Sequence, residues 1–234
     1  MKKKSKIQNT HRIYNMTDAV LDQLFKNQTT KTGTIDDIIL IVDRSGSMSD
    51  ILSDAQGGIN SFISDQRKVG EAYFTLVQFD YEIEPLHEQV ELSSFNEEYE
   101  LKPRGGTALL DAVGATCGGY EPKGNGKVII AIVTDGEENS SSEWTRDALF
   151  EMITKKREED KWEFMFLASG QDAIREGTRM GFAMGDNTSY NKRTYGATKS
   201  AYVHASANTT SLRTGGRKLD QADYEAILKD EQTK

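Results

Sequence analysis

Asp43, Ser45 and Ser47 place one carboxylate and two hydroxyls on alternate residues of the segment Asp43-Arg44-Ser45-Gly46-Ser47. In extended backbone, alternate side chains point the same way, and Gly46 relieves crowding where the chain turns, so three oxygens converge. Such a donor set suits a hard cation. Mg²⁺ takes an octahedron of oxygens at about 2.0–2.1 Å and keeps several of its waters. Asp135 ends a second apolar run with the same polarity and brings a second negative charge to the same crevice, enough to balance one divalent ion.

Other chemistries are less well served. A nucleophilic Ser45 or Ser47 would want the Gly-x-Ser-x-Gly setting, which is absent. The three histidines, His11, His87 and His204, are remote in sequence from the loop and are expected at the surface. Gly124-Asn125-Gly126-Lys127 lacks the rest of a phosphate-binding loop and precedes a strand, so it reads as a turn. Mg²⁺ with two carboxylates can also assist phosphate hydrolysis, but no residue pattern here demands it, and no enzymatic activity is expected. Cys117 is alone, which rules out an intrachain disulfide and suits a buried packing role in a reducing compartment.

The elements that must hold these residues follow from hydrophobic pattern. Ile38-Ile39-Leu40-Ile41-Val42 and Val128-Ile129-Ile130-Ala131-Ile132-Val133 are continuous aliphatic runs, the signature of strands buried on both faces. Ile51, Ala55, Ile59, Phe62 and Ile63 recur at helical spacing after the first, with Ser49 as N-cap and Asp50 at the positive end; Gly57-Gly58 inside this helix suggests close packing on the sheet. Strands are expected at 73–79, 83–92 (antiparallel to its predecessor), 162–168 and 188–190. Further helices are expected from Ser142 through Met152, at 172–180 and at 194–212, with a helical turn or two at 220–228. The domain is thus an α/β unit with a mainly parallel six-stranded sheet, one antiparallel edge strand and helices on both faces. It spans 35–215, after an N-terminal extension (1–34) whose Thr17–Phe25 stretch is amphipathic and before a C-terminal tail (216–234).

The net charge of −8 argues against non-specific nucleic-acid binding. Met1-Lys2-Lys3-Lys4 is not followed by an apolar signal core, and no run approaches the roughly 20 apolar residues of a membrane span. A cytoplasmic protein is expected.

In its three polar segments the chain resembles the von Willebrand factor type A family, whose metal-ion-dependent adhesion site joins Asp-x-Ser-x-Ser to a distant Thr and a later Asp. Asp43, Ser45 and Ser47 match the first element. Thr107 in Arg104-Gly105-Gly106-Thr107 matches the second, and Asp135 in Val133-Thr134-Asp135-Gly136-Glu137 the third. The likeness runs from about Ile35 to Tyr190, and Phe166 to Ala173 is similar to stand-alone bacterial or phage members. It implies a Rossmann-like sheet and a bound Mg²⁺, with Mn²⁺ or Ca²⁺ as substitutes, touched by Ser45, Ser47 and Thr107 and bound directly or through water by Asp43 and Asp135. It further implies a Glu or Asp carboxylate of a partner protein completing the shell, with Arg44, Gly106 and Glu137 lining the partner's face. Settings compatible with this are an intracellular scaffold, a phage or surface adhesin, and a subunit of an AAA-type ATPase machine. Asp111 is expected to brace its loop rather than to ligate.

Overall fold

The computed structural model describes residues 33–232 except 97, 136 and 171. The amphipathic Thr17–Phe25 stretch, His11 and nearly all of the 1–34 extension therefore lie outside the described residues.

Six strands form one sheet: β1 (Asp36–Asp43), β2 (Ala72–Phe79), β3 (Ile83–Glu91), β4 (Val128–Thr134), β5 (Glu163–Ser169) and β6 (Asn187–Tyr190), in the order β3-β2-β1-β4-β5-β6. Only β3 runs antiparallel to its neighbour. The helices are α1 (Leu52–Val69), α2 (Leu109–Gly118), α3 (Arg146–Glu158), α4 (Ala173–Arg179), α5 (Ala197–Arg213) and α6 (Gln221–Gln232). None is long and apolar enough to cross a membrane among the described residues.

β1 is buried along its whole length because both faces are covered, which is why its sequence does not alternate. Ile38, Leu40 and Val42 face α1 and α5, joined by Ile129, Ala131 and Val133 of β4. Ile39 and Ile41, with Ile130 and Ile132, face the other way, toward Val113 of α2 and Leu149 and Ile153 of α3. The chain travels outward from β1 to β2 and then crosses back to β4 on β1's other side. The order reverses between these two strands, where their carboxyl ends part and leave a crevice.

Several local expectations are corrected. No Ser49 cap exists: a 3₁₀ turn over Gly46–Ile51 leads into α1, whose first-turn acid is Asp54. Gly58 packs on a helix and not on the sheet, for a Cβ there would lie 2.6 Å from the Tyr202 ring of α5. α3 begins at Arg146, capped by the Thr145 hydroxyl, so Ser142 and Trp144 belong to the preceding loop. α2 is a ten-residue helix that the sequence pattern did not announce. The segment 216–234 carries α6, whose Tyr224 and Ile227 are buried.

α5 is polar yet buried through most of its length. Three of its polar residues, Ser206, Thr210 and Arg213, meet partners from α1 and the segment before β2: Gln66 donates to Ser206 and Thr210, while Arg213 donates to the carbonyls of Gln66, Gly70 and Glu71. His204 lies in this helix and is 2% exposed, contrary to a surface placement; burial disfavours its charged form and brings its pKa down to about 4, with Asp223 and Asp220 opposing the shift. Cys117 is buried and burial pushes its thiol up to about 12, consistent with packing. The Gly124–Lys127 turn is held on the start of β1, with Asp37 accepting from Gly124 and Asp36 from Lys127.

Candidate functional site

Asp43 is the last residue of β1 and is fully buried. Oδ1 accepts the Ser45 backbone N–H at 2.7 Å, a turn that folds the chain back over the strand end, and Oδ2 accepts the Thr134 hydroxyl from the end of β4. The Ser45 and Ser47 hydroxyls lie 3.1 Å apart, and Ser47 Oγ donates to Asp135 Oδ1 at 2.7 Å. Four of the five expected ligand residues are therefore linked in one run across the β1/β4 crevice.

Thr107, 2% exposed, reaches this place on a separate loop. That loop is fastened to the first by Gly46 N–H on the Gly105 carbonyl (3.1 Å) and Arg104 N–H on the Arg44 carbonyl (2.8 Å). It is fastened to the third by Asn139, whose side chain accepts the Thr107 N–H at 2.9 Å and whose N–H donates to the Thr107 carbonyl. Glu138 then accepts the N–H of Leu110 in the first turn of α2, along with those of Ser140 and Ser141. Asp111 binds the N–H groups of Ser142, Glu143 and Trp144 at 2.8, 3.0 and 2.7 Å. Its bracing role is met, with the loop before α3 as the one it braces.

Electrostatically the crevice is short of positive charge. Burial raises the Asp43 pKa to about 6; the Thr134 and Ser45 hydrogen bonds oppose that rise, and the neighbouring Asp135 charge adds to it. The donors that touch Asp43 are neutral. Asp135, whose side chain is fully buried, has beside it among the described residues the ammonium of Lys192, Nζ at 2.9 Å from Oδ2. Two carboxylates, neutral hydroxyls and one lysine leave a charge deficit, and the donors are all oxygen, so the residues present fit a hard divalent cation. Among the described residues no three His, Cys, Asp or Glu side chains converge, so the fit rests on this mixed set of carboxylates and hydroxyls.

The residues expected to meet a partner are placed differently from one another. Arg44 is 6% exposed and its guanidinium is engaged by Asp80 and Glu84 at 2.8 Å each, so it holds the β2–β3 turn and offers no free face. Burial works against the Asp80 carboxylate, yet the Glu82 N–H, Arg104 and Arg44 hold it below its usual range. Gly106 is wedged in place: a Cβ there would fall 2.2 Å from Ser140 Oγ and 2.7 Å from the Tyr81 ring. Glu137 is exposed and borders a cleft of about 350 Å³ with Ser169, Asp172 and Arg175. Sequence reasoning missed Lys192, Thr134, Asn139 and Tyr81, the last a 68% exposed aromatic lying over Gly105 and Gly106. Thr134 was readable as the neighbour of Asp135. The others had no local signal.

The sequence matches no family model and no curated protein. In three dimensions the chain is similar to a von Willebrand factor type A protein from Catenulispora acidiphila, with a TM-score of 0.56 and 14% identity over 78% of this chain and 44% of that one. It is similar also to proximal thread matrix protein 1 from the mussel byssus (0.57, 13%, 79% and 49%) and to the PilB minor pilin from Streptococcus sanguinis (0.52, 12%, 79% and 63%). This chain spans less than two thirds of the length of each. Identities this low speak to fold alone, and the fold, a mainly parallel six-stranded sheet with one antiparallel edge strand flanked by helices, is similar to the von Willebrand factor type A fold.

Proposed function

We propose that the chain is a protein-binding module in which Asp43, Ser45, Ser47, Thr107 and Asp135 hold a Mg²⁺ ion that captures a Glu or Asp carboxylate of a partner. The observation that supports this most is the run of contacts from Asp43 through Ser45 and Ser47 to Asp135 across the sheet's switch point, with its charge deficit. With the neutral hydroxyls touching the ion and a carboxylate acting through water, the ion would stay in place while keeping an attraction for a further anion. When bound, the ion supplies an electrophilic position for the partner's carboxylate. Tyr81 and Glu137, exposed beside the loops, give the partner an aromatic anchor and a polar rim.

A binding role is favoured over catalysis by the serines' surroundings. The Ser45 and Ser47 hydroxyls bond to each other and Ser47 donates to Asp135, while His204 is enclosed in α5 and His87 meets Phe95 edge-on at 4.7 Å. An adhesive setting is a second reading, suggested by neighbours named as a minor pilin and a byssal thread protein.

Calorimetric titration of chelator-treated protein with Mg²⁺ tests the site. One binding event is expected, lost in Asp43→Ala, with the far-ultraviolet spectrum unchanged. Wild-type affinity in Asp43→Ala would sink the assignment. A partner is then expected to release in chelator and on conversion of one of its acids to the amide.

A further inference from the structure

We infer that Lys192 is a built-in counter-cation for Asp135, which a divalent ion must displace, so that this lysine sets metal affinity and ties metal binding to the loop 191–196. The inference rests on the metal reading of the site. Both oxygens of the Asp135 carboxylate are taken: Oδ1 by the Ser47 hydroxyl and Oδ2 by Lys192 Nζ at 2.9 Å, which also approaches the Asp135 carbonyl at 3.3 Å. The carboxylate is fully buried and stands near Asp43, so without a cation the pair would be costly.

Lys192 is delivered to it by the end of β6. Tyr190, the last residue of that strand, donates its hydroxyl to the Thr134 carbonyl at 2.9 Å, next to Asp135, and this fixes where the following loop begins. The Lys192 backbone N–H points at Ser169 Oγ (3.4 Å), while its side chain, 29% exposed, crosses to Asp135. Of the two groups on Asp135, the hydroxyl belongs to a proposed ligand, and the ammonium sits on a flexible stem with a path to water. Lys192 is thus the group that yields. Two cations cannot share one carboxylate oxygen without strong repulsion, and a unit charge within a few ångströms of a divalent ion weakens its binding by at least about tenfold even at a water-like dielectric. Once released, the ammonium remains at the mouth of the crevice, three residues from Tyr195, which is 87% exposed.

The test titrates Mg²⁺ into wild type, Lys192→Gln, Arg193→Gln and Asp43→Ala, and follows amide exchange in 191–196. Arg193 is the adjacent exposed cation and controls for general surface charge. Lys192→Gln is expected to bind Mg²⁺ at least about tenfold tighter, to melt lower than wild type in chelator, and to recover more of its melting temperature on metal addition. Arg193→Gln is expected to match wild type, and exchange in 191–196 to speed up when Mg²⁺ binds the wild type. Equal affinity of Lys192→Gln and wild type, with binding lost in Asp43→Ala, overturns this inference and leaves the metal site standing. Equal gains in Lys192→Gln and Arg193→Gln also overturn it. Absence of Mg²⁺ binding by the wild type overturns both readings.

Discussion

Asp111→Ala is expected to be among the most damaging single changes outside the apolar core, although the residue lies on none of the proposed ligand positions. Its carboxylate is 6% exposed and accepts three backbone N–H groups, Glu143 and Trp144 on Oδ1 and Ser142 on Oδ2. Hydrogen bonds to a charged acceptor each contribute about 1.5–3 kcal/mol, and a buried donor left unpaired costs about 1–3 kcal/mol. Water can enter to satisfy part of the loss, so the net cost comes to about 3–5 kcal/mol rather than the full sum. The damage spreads because Trp144 packs against α2 so closely that a Cβ on Gly114 would fall 2.1 Å from its ring. For a domain of this size, 3–5 kcal/mol corresponds to a fall in melting temperature of roughly 6–20 °C. Asp111→Asn keeps one acceptor for Glu143 and Trp144 but sets an amide against Ser142, and should cost about half as much. Urea denaturation at constant m-value measures both. If Asp111→Ala lies within about 1 kcal/mol of wild type, the loop does not depend on these bonds and the account of how the site is braced is wrong.

The two glycines of α1 should respond oppositely to alanine: Gly57→Ala, with nothing within 4 Å, gains up to about 1 kcal/mol of helix propensity, whereas Gly58→Ala meets Tyr202 and loses about 1–2 kcal/mol net in the same denaturation assay. For His204 the folded pKa of about 4 lies below the unfolded value of 6.5, so the unfolded chain binds more protons between these limits. Stability should be full above pH 6.5 and fall by up to about 3 kcal/mol as pH drops toward 4, and His204→Leu should flatten that slope in melts across the range. Thr107→Ala should melt within about 1 kcal/mol of wild type yet bind Mg²⁺ more weakly by calorimetry, because both of its backbone bonds to Asn139 survive the substitution; a large loss of stability would make Thr107 a structural residue.

The parts of this molecule legible in sequence are those whose cause is local. β1 and β4 announce themselves because strands covered on both faces need unbroken aliphatic runs, and Asp43-Arg44-Ser45-Gly46-Ser47 is readable because its oxygen donors are close neighbours in sequence, although the backbone that gathers them is a turn at Asp43–Ser45 followed by a 3₁₀ turn from Gly46 and not the extended chain that the spacing suggests. α2 was not readable. Its Leu-Leu-Asp-Ala-Val-Gly-Ala-Thr-Cys-Gly composition is short and glycine-containing, and its N-cap Ala108 has no capping side chain. The first-turn donors are satisfied from another loop instead, Leu110 N–H by Glu138 and Asp111 N–H by Ser141 Oγ. The burial of α5 escaped for a similar reason. Lys, His, Asn, Arg and six Ser or Thr residues obscure the face formed by Ala197, Ala201, Tyr202 and Ala205, and partners of its buried polar groups, Gln66 and Asp65, lie some 140 positions away in sequence.

The same distinction separates the proposed ligands from what holds them. Asp43, Ser45 and Ser47 are neighbours in sequence, but their positions relative to Thr107 and Asp135 are set by Thr134, Asn139, Glu138 and Asp111, each acting across a gap of about 30 residues or more. A spacing pattern can therefore match while the crevice fails to form. Transplanting the five oxygen-bearing residues onto another sheet end without these four braces would leave three loops free to separate, and the oxygens would meet only at an entropic cost. Arg44 makes the complementary point. The family resemblance implies a partner-facing place for it, yet Asp80 and Glu84 recruit it to fix the β2–β3 turn on which the exposed Tyr81 stands, so its role visible in the fold is to hold that turn.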